Sequence, residues 1–535
     1  MSHQRGSGQG LQSVSDANLY PKLLSRRRFL ANSAAAGFSI SARRLFAQSV
    51  LESTLVNTPL GTLRGETSNG VRIFRGVPFA QPPVGDLRFR PPLPAKPWAG
   101  ERDATRFSAA PMQWNESAAP GQPAVAYSED CLYLNIWAPE TKRPYPVFVW
   151  IHGGSFIKGY AFEPIFDGSV FADVGIVCVN IAYRLGVLGF LDLGPVLGPE
   201  YHGSANNALR DLILALEWIQ ANIHAFGGDP SHVTIGGESG GAKLTGTLMG
   251  IPSAEPLFHQ MISESGGAER NFSLADSAAV SHAFAEQWRT QTGKDISAVK
   301  SSPAEQLIEV QHKFLGEYSR NHPLRPEIDG KLIPQLPVKT IAAGSTKGKR
   351  LLIGTNRDEM AYFVGPHPPQ PASKDLGNLP LQTFNRVFAR YDETFPEMND
   401  YQRRIRALSA EEYWIPSVRL ADAQLQGGGD AWVYLLCFVE SSGPLAGYAY
   451  HTLDLALVWD RPHPDPANTV AEAALAKQVH LAWAAFIRGE SPSAPGLPQW
   501  PPYSIETRPT MLLDNQSRVV HNPQEAELKL WDGVL

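Results

Sequence analysis

Runs of consecutive apolar residues, rather than alternating ones, dominate the first half of the chain. Residues 146–151, 174–179 and 233–235 each form such a run (PVFVWI, VGIVCV and VTI). A continuous apolar run is typical of a strand that is buried on both faces, as in a parallel sheet covered by helices. Between the second and third runs, residues 207–225 place leucine and isoleucine at helical spacing, which predicts an amphipathic helix. Strands that alternate with helices predict an α/β fold with a mostly parallel sheet.

A serine flanked by glycines comes directly after the third run. Residues 237–241 read Gly-Glu-Ser-Gly-Gly, which is the G-x-S-x-G spacing, and the residues that follow favour a helix. A sharp turn between strand and helix holds such a serine in a strained conformation and leaves its hydroxyl open to a base. Glycines two positions away on either side let the strand and helix approach closely. The pattern predicts Ser239 as a nucleophile, with a tight glycine turn of no catalytic role as the alternative.

A second glycine-rich loop follows the first apolar run. His152-Gly153-Gly154 comes at the end of residues 146–151, and glycine lets backbone amides approach a substrate carbonyl. Loops of this kind donate N–H groups to the oxyanion that forms when a serine attacks an acyl group. The candidate donors are the amides of Gly153, Gly154 and Gly240, the last of which follows the serine. A glycine turn with a structural histidine is the alternative interpretation.

Further segments resemble the type-B carboxylesterases, the carboxylesterase and cholinesterase family. They occur in the family's order between about Val56 and Asp514. They are residues 74–89, 129–135, 180–190, 222–230, 483–486, 500–503 and 511–514. The resemblance implies an α/β-hydrolase fold, in which a mostly parallel central sheet is flanked by helices and long insertions form the lid and pocket. It also implies a catalytic triad in the chain order serine, acid, histidine.

The resemblance places the triad acid after the apolar run at residues 351–353, where Asp358 and Glu359 follow. The family's segment there is similar to Asp-Glu-Gly with the glutamate as the triad member, so Glu359 is the expected acid. Asp358 is the local rival, and Met360 stands where glycine is usual. A carboxylate in this role orients the imidazole and stabilises its cationic form.

Five histidines follow Glu359, and the resemblance selects His451 among them. Residues 447–454 read Gly-Tyr-Ala-Tyr-His-Thr-Leu-Asp, similar to the family's His-x-x-Glu segment with aspartate in place of glutamate. The other four histidines are His367, His463, His480 and His521. Two of these, His367 and His463, lie beside prolines in loop-like stretches, and His480 lies in a predicted helix. His451 is therefore the expected general base.

Together these residues predict a serine hydrolase that cleaves carboxylic esters through an acyl-enzyme intermediate. Ser239 attacks the carbonyl, His451 transfers the proton, and Glu359 orients the imidazole. This chemistry needs no metal ion or organic cofactor, and the expected partner is a small-molecule ester. Two alternatives stay open: the same triad acting on an amide, carbamate or lactone bond, and a non-catalytic cholinesterase-like binding protein.

The amino terminus has a different character from the rest of the chain. Residues 25–31 read Ser-Arg-Arg-Arg-Phe-Leu-Ala, which is similar to a twin-arginine export signal, and a modest apolar stretch follows. That stretch is too short to predict a membrane span, which needs about 20 apolar residues. We expect residues 1–47 to be a signal recognised by the twin-arginine export machinery. The enzyme would then be periplasmic or secreted, without stable membrane insertion; a basic tail is the alternative.

Composition bears on domain organisation and on partners. The 44 prolines and 47 glycines are scattered, without repeats or a linker, so residues 48–535 are expected to form a single catalytic domain. Residues 1–47 carry seven basic side chains and one acidic side chain, so removing them lowers the formal net charge from −5 to −11. Such an acidic protein, without basic clusters, is not expected to bind nucleic acid.

The three cysteines are Cys131, Cys178 and Cys437. In many members of the family that the chain resembles, the cysteine at position 131 bonds to an upstream cysteine, but this chain has none before Cys131. Cys178 lies in an apolar run and is expected in the core. We therefore expect a chain without disulfides, which suits folding in a reducing compartment before export.

Overall fold

The structure, a computed structural model, describes residues 52–114, 125–141, 143–462 and 469–534. The expected export signal at residues 1–47 lies outside these ranges, and so does His463. The export signal and the loop position of His463 therefore stay predictions. Within the described part of the chain, no helix is both long enough and apolar enough to cross a bilayer.

Most of the described strands join one large mixed sheet. In chain order the strands are β1 Glu52–Thr58, β2 Gly61–Ser68, β3 Val71–Pro78, β4 Glu101–Asp103, β5 Ala110–Pro111, β6 Tyr127–Ser128, β7 Tyr133–Pro139, β8 Tyr145–Ile151, β9 Val177–Ile181, β10 Gly228–Glu238, β11 Gln260–Glu264, β12 Arg350–Asn356, β13 Asp430–Leu436, β14 Pro509–Leu513 and β15 Arg518–His521. The order across the sheet is β1-β2-β3-β7-β9-β8-β10-β11-β12-β13-β14-β15, and β4 pairs with β2. Strands β5 and β6 form a separate pair.

The centre of the sheet is parallel. All neighbours from β9 through β8, β10, β11, β12 and β13 to β14 pair in parallel, whereas β1, β2, β3, β7 and β15 pair antiparallel at the two sides. The predicted apolar runs became β8, β9 and β10, and every residue of β9 and β11 is buried. Strand β10 begins at Gly228, before its apolar run, because Gly228 pairs with Tyr145; the register is irregular between Gly228 and Val233.

Helices flank the sheet. In chain order they are α1 Ser169–Ala172, α2 Gly186–Phe190, α3 Gly194–Leu197, α4 Asn207–Asn222, α5 Gly240–Met249, α6 Leu274–Thr292, α7 Ala304–Glu317, α8 Pro337–Ala342, α9 Ala361–Val364, α10 Leu381–Phe388, α11 Tyr391–Thr394, α12 Asp400–Ser409, α13 Ile415–Gln426, α14 Leu453–Val458, α15 Thr469–Ile487 and α16 Glu525–Trp531. The predicted amphipathic helix is α4, which buries Leu209, Leu212 and Leu216 and continues as a short 3₁₀ segment, Ile223–Phe226. A π-helical turn, Ala410–Trp414, joins α12 to α13.

The predicted site residues all follow strands of the parallel centre. The carboxyl ends of parallel strands lie along one edge of a sheet, and ligands bind there in open α/β folds. The glycine loop follows β8, Ser239 follows β10, Glu359 follows β12, and His451 lies in the connection after β13. The strand order therefore brings together four segments that are far apart in the chain.

Candidate active site

Ser239 occupies the turn between β10 and α5. Its backbone has φ 55° and ψ −119°, a conformation that residues other than glycine rarely adopt. The amide of Ser239 donates to the carbonyl of Glu264 at the end of β11 (2.9 Å), which holds the turn in place. A β-carbon at Gly237 would lie 2.5 Å from the carbonyl oxygen of Ile151, and one at Gly241 would overlap that same atom. The close approach of the elbow to β8 therefore requires both glycines, as the sequence predicts.

The glycine loop after β8 passes directly beside the nucleophile. Gly154 has φ 111°, and a β-carbon at Gly153 would lie 3.3 Å from the β-carbon of Ser239. The amides of Gly153, Gly154 and Gly240 donate no hydrogen bond to any other described residue. Three N–H groups next to Ser239 can therefore serve an incoming oxygen, which is what stabilisation of an oxyanion requires.

His152 anchors this loop. Its buried ring stacks on Tyr183 at 4.5 Å between centroids, and the Tyr183 hydroxyl donates to the carbonyl of His152 (2.7 Å). The ring Nδ1 of His152 lies 2.9 Å from the carbonyl oxygen of Gly153. These contacts fix the backbone that carries the two glycine amides.

Glu359 and His451 form a buried pair. Glu359 Oε2 and His451 Nδ1 are 2.5 Å apart, and neither side chain is more than 3% exposed. The other carboxylate oxygen of Glu359 accepts hydrogen bonds from the Ser265 hydroxyl and from the amide of Asn356 (2.8 Å). Burial raises the pKa of Glu359 to about 8, and the two donors and the charge of Lys243 oppose that rise. The geometry is that of a carboxylate orienting an imidazole.

The second ring nitrogen of His451 faces the nucleophile elbow. Its Nε2 lies 3.1 Å from Oε1 of Glu238, the residue before Ser239. The rings of Phe363 and Tyr413 pack near the imidazole, at 5.1 and 4.9 Å between centroids. The Tyr413 side chain lies close enough to Ser239 for the two hydroxyl groups to influence each other. Serine, histidine and tyrosine thus meet in one cluster at the carboxyl edge of the sheet.

The rival residues make other contacts. The Asp358 carboxylate lies 2.7 Å from the guanidinium of Arg357 and accepts the amide of Ala449 at 3.0 Å. The two ring nitrogens of His480 lie 2.9 and 3.2 Å from backbone carbonyl oxygens. The structure therefore pairs Glu359 with His451 and gives these two rivals other partners.

Asp454, which the sequence showed only as part of the histidine segment, lies in a polar layer behind the triad. Its carboxylate accepts hydrogen bonds from the Tyr434 hydroxyl (3.0 Å) and the side-chain amide of Asn356 (3.2 Å). Asn356 thereby links Asp454 to Glu359, whose carboxylate accepts the backbone amide of the same residue. Burial, reinforced by the charge of Glu359, raises the pKa of Asp454 to about 6.

A buried ionic cluster beside Ser239 was not predicted from the sequence. Lys243 Nζ lies 3.1 Å from Glu412 Oε1 and 4.6 Å from the centroid of the Tyr413 ring. The guanidinium of Arg270 contacts the same Glu412 carboxylate. Glu412 and Tyr413 belong to the π-helical turn, a rare conformation that is frequent at functional sites. The one feature of the local sequence that could have indicated the cluster is Lys243, a charged residue in a helix that is otherwise made of apolar and small residues.

Within the described ranges, no group of three or more histidine, cysteine, aspartate or glutamate side chains is arranged to hold a metal ion. All three cysteines are free thiols. Burial raises the pKa of the Cys131 and Cys178 thiols and that of Cys437 to about 11, so none of them is a ready nucleophile.

A strained serine at a strand-to-helix turn, a glutamate–histidine pair and a glycine loop at one sheet edge define a hydrolase of the α/β-hydrolase class. The carboxylesterase family model matches residues 52–531. The chain belongs to the carboxylesterase family, and it is a carboxylic ester hydrolase.

Comparison with individual relatives agrees with this assignment. The chain is 34% identical to the para-nitrobenzyl esterase of Bacillus subtilis over 492 residues, which covers 89% of this chain and 98% of that protein. It is 29% identical to carboxylesterase 1D of Rattus norvegicus, covering 90% and 93% of the two chains. A solved structure of a carboxylesterase from Geobacillus stearothermophilus matches with a TM-score of 0.77 at 33% identity, covering 89% and 100%.

Proposed function

We propose that the protein hydrolyses small carboxylic esters with Ser239 as nucleophile, His451 as general base and Glu359 as the orienting acid. The observation that carries the proposal is the 2.5 Å contact between Glu359 Oε2 and His451 Nδ1, next to a serine in a strained turn. The acid and the ring are almost completely buried, so their relative orientation is fixed before substrate arrives.

The first half of the reaction forms an acyl-enzyme. His451 Nε2 takes the hydroxyl proton as Ser239 Oγ attacks the ester carbonyl, and the carbonyl oxygen becomes an oxyanion. The amides of Gly153, Gly154 and Gly240 would donate to that oxygen; each such donor is typically worth about 100- to 1,000-fold in rate. The imidazolium then gives its proton to the departing alkoxide oxygen, so the alcohol leaves neutral.

The second half repeats the chemistry with water. His451 removes a proton from water, the resulting hydroxide attacks the acyl carbonyl, and the proton is returned to Ser239 Oγ as the acid leaves. Glu359, and Glu238 at 3.1 Å from Nε2, place carboxylates on both nitrogens of the ring. When both carboxyl groups are ionised, their negative charge stabilises the imidazolium that forms twice in each cycle.

Initial rates on a series of nitrophenyl esters, from acetate to long and aromatic acyl groups, test the proposal. The full-length chain is compared with its Ser239→Ala variant. We expect hydrolysis by the wild type with a burst of about one nitrophenolate per site, and loss of turnover by roughly 1,000-fold or more in the variant. Equal rates for the two proteins would contradict the nucleophile assignment.

We further propose that residues 1–47 direct export by the twin-arginine route, which makes the enzyme periplasmic or secreted. The support for this is the sequence at residues 25–31, with three consecutive arginines before a modest apolar stretch. Three free thiols suit a protein that folds in a reducing compartment before it crosses the membrane.

A further inference from the structure

Three buried basic side chains lie in the region of Tyr413: Lys243 is 4.6 Å from the centroid of its ring, and Arg270 shares Glu412 with Lys243. Lys243, Arg270 and Arg325 are each no more than 5% exposed. Lys243 lies one helical turn beyond Ser239, since its amide donates to the Ser239 carbonyl (3.0 Å). Lys243 therefore connects this group to the nucleophile elbow.

The carboxylates nearby do not balance these cations. Glu412 is shared between Lys243 and Arg270. Glu411 accepts three backbone amides, from residues 377 to 379. Arg325 donates only to the carbonyl oxygens of residues 321, 322 and 377 among the described residues. Three basic side chains thus share two carboxylates in a region that water hardly reaches. Burial and their mutual repulsion lower the pKa of Lys243 and of Arg325 well below the usual values.

Two further carboxylates near the cluster already have partners of their own. Glu269 pairs with Arg419 at 3.0 Å, and Glu359 belongs to the pair with His451. Neither supplies the missing negative charge. A buried charge without a partner is costly unless something pairs with it, so the cluster is suited to an anion that arrives from outside.

Arg270 also has hydrogen-bonding capacity that the protein does not use. Its Nε is buried and donates to no other described residue. Buried guanidinium donors are normally paired, and the planar fork of arginine matches a carboxylate. An unused buried donor next to an excess positive charge indicates a binding position for a carboxylate.

His322 lies beside the cluster, since its backbone carbonyl accepts a hydrogen bond from Arg325 Nε (2.7 Å). Unlike the three cations, His322 is partly exposed, and its backbone is left-handed with φ 47°. Burial and the charges of Arg270, Arg325 and Lys243 lower the pKa of His322 well below its usual value, so the ring is neutral at pH 7. A neutral imidazole adds a hydrogen bond to an anion without adding to the repulsion among the cations.

We propose that Arg270, together with His322 and Arg325, binds a carboxylate of the substrate, so that the preferred esters carry a free carboxylate close to the scissile carbonyl. The proposal rests on the proposed function, because Ser239 is the atom that the bound ester must reach. The carboxylate can belong to the acyl part, as in a half-ester of a dicarboxylic acid, or to the alcohol part.

Three esters of similar size separate these cases when acid release is followed at constant pH. Monoethyl succinate carries the carboxylate on the acyl side, and the butanoyl ester of 3-hydroxypropanoic acid carries it on the alcohol side. Ethyl 4-methylpentanoate is the neutral match of the first. We expect the wild type to have a kcat/KM for one of the two anionic esters that is at least about tenfold above that for the neutral one.

Substitution of Arg270 then tests the residue. We expect Arg270→Gln to lower kcat/KM about tenfold or more on the preferred anionic ester and to change the neutral ester by less than about threefold. Arg320→Gln is the matched control, because Arg320 has the same charge in a neighbouring loop but is partly exposed and paired with Asp276. This control should retain the preference of the wild type.

The wild type alone decides the outcome if Arg270→Gln fails to fold. Succinate should inhibit hydrolysis of the neutral ester competitively, and butanoate should inhibit it much less. A wild type that cleaves the neutral ester at least as well as both anionic esters overturns the carboxylate site and leaves ester hydrolysis standing. An equal loss on all three esters in Arg270→Gln also overturns it. If the wild type cleaves none of the three esters or the nitrophenyl esters, the proposed function itself fails.

Discussion

Asp358 and Glu359 are neighbours in the chain, but their carboxylates lie in different environments. Asp358 is paired with Arg357 at 2.7 Å and is 17% exposed, whereas Glu359 is fully buried and contacts His451 at 2.5 Å. The sequence places both acids at the same point after β12. Their different partners in the structure distinguish the acid that contacts the histidine from the acid that does not.

The first prediction concerns these two acids. We expect Glu359→Gln to lower kcat by roughly 1,000- to 10,000-fold, because an amide orients the imidazole in the wrong tautomer. Asp358→Asn should cost less than about tenfold, because it disturbs an ion pair at the edge of the site. Steady-state rates on one nitrophenyl ester compare the two variants, and the reverse ranking would move the acid to Asp358.

The same glutamate should make the stability depend on pH. Burial raises the pKa of Glu359 from 4.5 to about 8, so the folded state holds this proton more tightly than the unfolded state. Its contribution is fully present below pH 4.5 and is lost as the pH rises towards 8. We expect Glu359→Gln to raise Tm relative to the wild type, and by more at pH 8 than at pH 5. A difference in Tm that does not change with pH would contradict the raised pKa.

The strain at the elbow should be measurable as stability. Ser239 has φ 55° and ψ −119°, which glycine adopts without a steric penalty and alanine does not. We expect Ser239→Gly to be more stable than Ser239→Ala by about 1 kcal/mol, the usual size of such strain less the chain entropy of glycine. Thermal unfolding of the two inactive variants gives the comparison, and a less stable glycine variant would argue against strain.

The ion pair of Lys243 and Glu412 should show thermodynamic coupling. Both side chains are 4% exposed, and removing one partner of such a buried pair typically costs about 3–5 kcal/mol. We expect Lys243→Met and Glu412→Gln each to lower Tm strongly, and the double variant to lose less than the sum of the two. Strictly additive losses would show that the two charges do not stabilise each other.

The next prediction concerns the export signal at residues 1–47. We expect the double variant Arg26→Lys, Arg27→Lys to leave the enzyme in the cytoplasm, because twin-arginine signals are recognised through their paired arginines. Esterase activity in periplasmic and cytoplasmic fractions measures the distribution. Export of the double variant at the wild-type level would refute this route, and a wild type that stays in the cytoplasm would favour a basic tail.

Much of the fold could be predicted because it rests on local patterns. Continuous apolar runs identified β8, β9 and β10, and glycines at two fixed positions identified the elbow. The boundaries were less certain: β10 starts earlier than its apolar part, since pairing with Tyr145 extends it. The residues of the triad came from family resemblance, because nothing in the local sequence links Glu359 to His451.

The ionic cluster could not be predicted because it joins distant segments. Lys243, Arg270 and Glu412 come from α5, from the loop after β11 and from the π-helical turn. A π-helical turn has no simple sequence pattern, since it depends on one additional residue per turn. The contact of His451 with Glu238 is equally non-local, because it depends on how the connection after β13 folds back over β10.

The order of the strands has a consequence for how activity arises during synthesis. The elbow is made when β10 leaves the ribosome, but the histidine emerges only after β13, more than two hundred residues later in the chain. On the proposed mechanism, a nascent or truncated chain that ends before residue 451 is catalytically silent even where its elbow has folded. Hydrolysis therefore requires that almost the whole chain has been made and folded. The release of nitrophenolate can accordingly be used to measure how much of the protein is completely folded.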